Sequence, residues 1–222
     1  MKTEHSTLSL GGHTLHQIEF DPATFTDADL LWLPHHARLM PAGKKRKAEH
    51  LAGRLAAFYA LQQHGMRAMP DIGDNRQPLW PNGWSGSISH SGTTALAVVS
   101  REPVGVDLET VLSADVCAEI AESIISPEES ELLKSSKLPF PLALTLAFSA
   151  KESIYKAYSF ATNAMPGFTA AHVVAISGQE ISLQLTDDFS PALAGKICRV
   201  AWRRNNNQVT TLFKRRLTQP RQ

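Results

Sequence analysis

Leu51, Leu55, Phe58 and Leu61 recur at three- and four-residue steps with alanines between them, which predicts a helix over residues 44–64. Gly65 is its natural stop. Residues 66–84 set prolines and tryptophan- or leucine-type anchors among polar residues and read as a loop. The apolar run 95–100 predicts a strand, residues 101–103 a short turn, and the alternating run 104–109 the partner strand. A second helical pattern opens at Ser126-Pro127-Glu128-Glu129, with a capping serine, proline at the first helical position and glutamate at the third. The apolar run 142–147 leads into Phe148-Ser149-Ala150-Lys151-Glu152-Ser153-Ile154-Tyr155-Lys156. Residues 172–186 and 196–214 read as two hairpins, turning near Ser177-Gly178 and Asn205-Asn206-Asn207. Helix followed by strands in each half predicts an α+β protein of two halves, residues 1–105 and 106–222, with no repeat at the level of sequence.

Composition narrows the class. A chain of 222 residues is long for one average domain and short for two, and 43% hydrophobic content suffices for a substantial core. A net charge of +1 argues against a polyanion binder overall, so charge has to be read locally. Cys117 and Cys198 form neither a CxxC pair nor a disulfide framework, which points to a reducing compartment. Residues 1–20 are interspersed with polar groups and lack the apolar core of a signal peptide. No run approaches the roughly 20 apolar residues of a membrane span. The expectation is a cytoplasmic protein, compatible with loose peripheral attachment to a membrane or to a larger assembly.

Alternation along residues 104–109 puts Val104, Val106 and Leu108 on one side and Gly105, Asp107 and Glu109 on the other. The two carboxylates point the same way and can share a cation, and Gly105 beside them is expected to leave room for a ligand. Mg²⁺ prefers hard oxygen ligands and is commonly held by one or two carboxylates plus substrate phosphate. Taken alone, this short acidic pattern also describes a half-exposed strand with solvated acids. Glu152 has a plain alternative too. Ser149-Ala150-Lys151-Glu152 satisfies a capping box, and Lys156 stands four residues on, where an ordinary ion pair contributes a few tenths of a kcal/mol, roughly.

Arg46, His50 and Arg54 follow at four-residue steps and form one stripe along the predicted helix, suited to phosphate. Lys44, Lys45 and Lys47 read as surface charges, whereas Arg54, set among alanines and leucines, reads as functional. Small hydroxyl residues around Ser89-His90 can cradle phosphate, with His90 as a donor. A serine-hydrolase reading is weak without a G-x-S-x-G elbow. His35-His36 reads as a surface pair, and Arg76 opens a rigid loop anchored by Trp80.

Taken in order, KRKAEHLAGR, SISHSG, GVDLE and FSAKESIYK resemble the 4′-phosphopantetheinyl transferases of the larger, two-halved, monomeric type, over roughly residues 12–160. Within that family the wording is nearest the group serving enterobactin-type siderophore synthesis. The resemblance implies a pseudo-twofold fold of two similar α+β halves with coenzyme A between them. It implies transfer of the 4′-phosphopantetheine arm from coenzyme A to a serine of apo aryl or peptidyl carrier domains, releasing adenosine 3′,5′-bisphosphate. It further implies Mg²⁺ on Asp107, Glu109 and Glu152, with Glu152 also matching the base. Lys156 matches the lysine near the pyrophosphate, and Arg46, Arg54, Arg76, Ser89 and His90 match coenzyme A contacts. Whether Glu152 is ligand, base or both stays open, as does a water relay. Phe148 stands where many members have tryptophan, and Gln77 where some have lysine. The same enzyme class serving fatty-acid or other peptide and polyketide carriers is the alternative. A nucleic-acid module using residues 44–47 and 214–216 ranks last, since it leaves three acids unexplained.

Overall fold

The computed structural model describes residues 1–159 and 166–215 of the chain. The first half begins with a hairpin of β1 (Lys2–Leu10) and β2 (His13–Asp21). The short α1 (His36–Leu39) and the 19-residue α2 (Lys44–Gln62) follow, then a ribbon of β3 (Asp71–Ile72) and β4 (Pro78–Leu79) inside the expected loop. β5 (Ser85–Ser91) and β6 (Thr94–Ser100) complete a four-stranded sheet of order β1-β2-β6-β5. The second half runs β7 (Val104–Thr110), α3 (Ala114–Ile124), α4 (Pro127–Ser135), the 19-residue α5 (Phe140–Tyr158), and the hairpins β8 (Ala171–Ile176) with β9 (Glu180–Leu185) and β10 (Ile197–Asn205) with β11 (Gln208–Lys214). Its five-stranded sheet has the order β7-β11-β10-β9-β8. The architecture is α+β, two similar halves that each lay one long helix on an antiparallel sheet.

The packing follows from the apolar pattern. Leu51, Ala52, Ala56 and Leu61 of α2 bury against Ile18, Ala95 and Ala97 of the first sheet. Leu146, Ala150 and Ile154 of α5 join Val200, Val209 and Phe213 of the second. A third cluster lies between the sheets, where Leu15, Leu96 and Val98 meet Val104, Val106, Leu108 and Leu212. Burying this layer removes apolar area from water at about 25 cal/mol per Å², which fixes the two sheets face to face. The serine cap and capping box at α4 form as the sequence predicts, with Glu129 reaching back to the Ser126 amide.

Two expectations for β7 are corrected. It is not the hairpin partner of β6, because both edges of β6 are already filled by β2 and β5, and β7 pairs with β11 instead. Its amides on the other edge go to hydroxyls of β5: Val106 N donates to Ser87 Oγ at 3.0 Å and Leu108 N to Ser89 Oγ at 3.1 Å. Nor does Gly105 leave room for a ligand. A side chain there would strike the Ser153 carbonyl and the Ala157 amide of α5, so Gly105 is the point where helix and strand close together.

Candidate active site

Asp107 of β7 is 3% exposed, with donors from two elements, α5 and β5, around it. Lys156 Nζ donates to its Oδ1 at 2.8 Å and to the Val106 carbonyl at 3.0 Å. Ser89 Oγ of β5 donates to Oδ1 at 3.2 Å, and Ser149 Oγ of α5 to Oδ2 at 2.8 Å. Ser149, Ser153 and Lys156 follow at spacings of four and three on α5, so one helix face presents all of them to β7 and β11.

This arrangement removes both plain alternatives for the motif on α5. Ser149 lies deep inside a helix that starts at Phe140, so it caps nothing. The apolar run 142–147 is the first part of the same helix and already signalled that continuation. Lys156 turns to Asp107 on the neighbouring strand rather than to Glu152 on its own helix. Phe148, at the family's tryptophan position, packs on Phe168 with ring centroids 5.3 Å apart.

Glu109 and Glu152 stand half-buried in the electrostatic reach of Asp107. The Glu109 carboxyl is pushed up to about 7 by burial and by the charges of Asp107 and Glu152, with Lys156 opposing. Glu152 is raised by burial first and by Asp107 second, again against Lys156. Among the described residues no three Asp, Glu, His or Cys side chains are gathered at metal-ligand spacing. The donor chemistry nonetheless fits a hard divalent cation: carboxylate oxygens that raise one another's pKa are groups whose repulsion a cation relieves.

The basic stripe of α2 comes up against the same centre from the first half. A cleft of about 190 Å³ is lined by Arg46, Glu49, His50, Arg54, Arg76 and His90. It adjoins one of about 350 Å³ that shares Arg46, His50 and Arg76 and adds Arg38. His90 is half-exposed; burial lowers its pKa, Glu49 raises it, and Lys156, Arg46 and Lys45 lower it further. Ser89, which donates to Asp107, and His90, which lines the cleft, are neighbours on β5, and this ties the guanidinium cleft to the carboxylate centre. His50 is pushed down to about 3 by burial and then by Arg54, His35, Arg46 and His90.

Several candidates have duties the sequence did not reveal. Arg54 is buried; its Nε donates to the Pro70 carbonyl at 2.8 Å and its Nη2 to the Asp71 carbonyl at 3.3 Å, which ties the loop carrying Arg76 to α2. Burial lowers it to about 10, with Asp71 opposing. Arg76 is exposed and reaches the cleft from a backbone at φ 62°, in the left-handed region. Ser89 is buried, its hydroxyl engaged with Leu108 and Asp107, so it acts on the carboxylate side of the site. His35 is not a surface residue: its Nε2 lies 2.8 Å from His50 Nε2 beneath the cleft. Lys47 is likewise buried, drawn in by Asp27 at 2.9 Å. Lys214 pairs with Glu102 at 2.7 Å, Arg215 lies over Tyr158, and Arg216 falls outside the described residues. Sequence reasoning passed over Arg38 and Glu49; Glu49, flanked by the Arg46–His50 stripe, was the more legible of the two.

A basic cleft of the first half beside a carboxylate centre on β7 suits an enzyme that handles phosphate groups, built of two α+β halves. The chain belongs to the 4′-phosphopantetheinyl transferase superfamily: residues 35–100 match the 4'-phosphopantetheinyl transferase N-terminal domain and residues 103–210 the 4'-phosphopantetheinyl transferase superfamily model. Among similar proteins is enterobactin synthase component D of Salmonella typhi, 53% identical over 96% of this chain and 90% of the relative. The protein of that name from Escherichia coli (strain K12) is 54% identical over 85% of this chain and 91% of its own length. 4'-Phosphopantetheinyl transferase Npt of Nocardia iowensis is 31% identical over 68% of this chain and 73% of the relative.

Proposed function

We propose that the protein transfers 4′-phosphopantetheine from coenzyme A to a serine of apo aryl or peptidyl carrier domains in the synthesis of an enterobactin-type siderophore. The single observation that carries this reading is the adjacency of the guanidinium cleft and the carboxylate centre on β5, where Ser89 donates to Asp107 and the next residue, His90, lines the cleft. The names of the relatives supply the siderophore pathway. The two halves, residues 1–105 and 106–222, work as one unit, as a monomer in the cytoplasm.

In the reaction the carrier serine oxygen forms a bond to the phosphorus that carries pantetheine. The bond from that phosphorus to the bridging oxygen of the pyrophosphate breaks, and adenosine 3′,5′-bisphosphate leaves with the electron pair. Arg46, Arg76 and His90 hold the nucleotide phosphates, with Arg fork geometry matched to phosphate oxygens. Arg54 keeps the Arg76 loop in place. Lys156, fixed by Asp107 and the Val106 carbonyl, directs positive charge at the pyrophosphate. The serine proton passes to Glu152, directly or through a water. Mg²⁺ on Asp107 and Glu109, with Glu152 as ligand or base, would offset charge developing on the phosphate oxygens.

Release of adenosine 3′,5′-bisphosphate across a panel of apo carriers tests the assignment. Aryl and peptidyl carriers of siderophore synthases are expected to give the highest kcat/KM. A preference for fatty-acid carriers would move the protein to the alternative pathway role, and no release with any carrier would overturn the transferase reading.

A further inference from the structure

Thr211 of β11 stands directly across from Asp107 in the β7–β11 register. It is fully buried, as are Ser149 and Ser153 of α5. Ser153 Oγ lies 2.6 Å from Thr211 Oγ1, Thr211 Oγ1 lies 2.8 Å from Ser149 Oγ, and Ser149 Oγ donates to Asp107 Oδ2 at 2.8 Å. Serines inside helices commonly turn back to the carbonyl four residues earlier. These two reach across to the sheet instead.

Each hydroxyl has one proton to give, and the carboxylate takes the proton of Ser149. Ser149 Oγ is then an acceptor for Thr211, whose hydroxyl also lies 3.0 Å from the Ser149 carbonyl. Thr211 Oγ1 in turn accepts from Ser153 at the short 2.6 Å contact. Ser153 Oγ also has the Thr211 carbonyl within reach at 3.2 Å, but the arrangement that uses the shortest contacts is a chain directed from Ser153 through Thr211 and Ser149 to Asp107. Hydrogen bonds aligned in this way polarise one another in a buried setting. Asp107 Oδ1 is held separately by Lys156 and Ser89, so the hydroxyl chain governs the other oxygen.

We propose that Thr211 is a positioning residue for Asp107, which, acting through Ser149, sets the orientation of Oδ2 and thereby the affinity of the carboxylate centre for a divalent cation. The inference rests on the metal reading given above. Groups that orient metal ligands from behind typically change affinity by about 10–100-fold when removed. Thr211 lies on the last hairpin, outside every motif that carried the resemblance, and no feature of its local sequence marks it.

The test is a Mn²⁺ titration of the full-length protein saturated with coenzyme A and without carrier, followed by the electron paramagnetic resonance of free Mn²⁺ and corrected for coenzyme A alone. Thr211→Val, which keeps the shape and removes the hydroxyl, is expected to weaken Mn²⁺ binding about 10-fold, while Thr211→Ser binds as the wild type does. A packing role alone would lower the melting temperature of Thr211→Val and leave its Mn²⁺ affinity below that temperature unchanged; unchanged affinity overturns the proposal. Should Thr211→Val not fold, Ser153→Ala is measured in its place, and a weakening in the same direction supports the chain, whereas wild-type affinity overturns it. Wild-type protein that takes up no Mn²⁺ beyond coenzyme A alone would contradict the metal reading itself, and this inference with it.

Discussion

Lys156 Nζ stands 2.8 Å from Asp107 Oδ1, so the cation of the helix motif is bound to the acid of the strand motif. The Lys156 side chain stays 29% exposed while the carboxylate is nearly sealed, so the lysine remains open to solvent where Asp107 does not. Lys156→Met removes both the ion pair and the charge that the proposed mechanism directs at the pyrophosphate. It is expected to lower kcat by about 10²-fold or more and to cost about 1–3 kcal/mol in stability, because Asp107 loses one of its donors. Steady-state kinetics and urea denaturation measure the two effects separately.

Gly105→Ala tests how β7 and α5 are joined. The added methyl would meet the Ser153 carbonyl and the Ala157 amide, backbone atoms that cannot step aside without moving the helix. A loss of more than ~3 kcal/mol in urea denaturation is expected, beyond ordinary overpacking. A near-wild-type midpoint would show that α5 does not rest on this glycine.

Lys151 and Glu129 form a buried ion pair at 2.9 Å, and Lys151 also donates to the Ile124 and Phe168 carbonyls. Glu129 further accepts from the amides of Ser126 and Val173, so the pair pins α5 to α4 and β8. Lys151→Met leaves a buried carboxylate without its cation and is expected to cost about 3–5 kcal/mol. Adding Glu129→Gln should cost less than the two changes summed, because the neutral amide no longer needs the lysine. Denaturation of the single and double variants completes the cycle.

His50 gives the protein an acid-sensitive element. Its folded pKa of about 3 lies below the ordinary 6.5, because it is half-buried and faces Arg54, His35, Arg46 and His90. Between those values the unfolded chain binds the proton and the folded one does not. Stability therefore rises with pH across this window and is lost as pH falls from 6.5, with a slope of at most ~1.4 kcal/mol per pH unit from this group. His50→Gln should flatten that part of the stability profile, measured by urea denaturation at a series of pH values.

Much of this was legible because it depends on local spacing. The steps from Leu51 to Leu61 define α2, Ser126 to Glu129 define the start of α4, and strand alternation sets Val106 apart from Asp107. What was not legible depends on tertiary approach. Nothing near Gly105 says that a helix fifty residues later will close on it. Nothing near residues 104–109 says that a strand more than a hundred residues on will supply their partner. The capping-box alternative for Ser149 falls for a related reason: a serine three residues before a glutamate looks the same at a helix start as in the middle of one, and only the length of α5 separates the two. His35 and Lys47 read as surface groups in the sequence because their partners, His50 and Asp27, lie 15 and 20 residues away.

The most direct measurement is the mass of an apo aryl carrier after incubation with coenzyme A, Mg²⁺ and either the wild-type protein or Glu152→Gln. The wild type is expected to add the mass of phosphopantetheine to the carrier, and the folded variant to leave the carrier unmodified within the same time. A carrier unchanged by the wild-type protein, or modified equally fast by Glu152→Gln, would contradict the account.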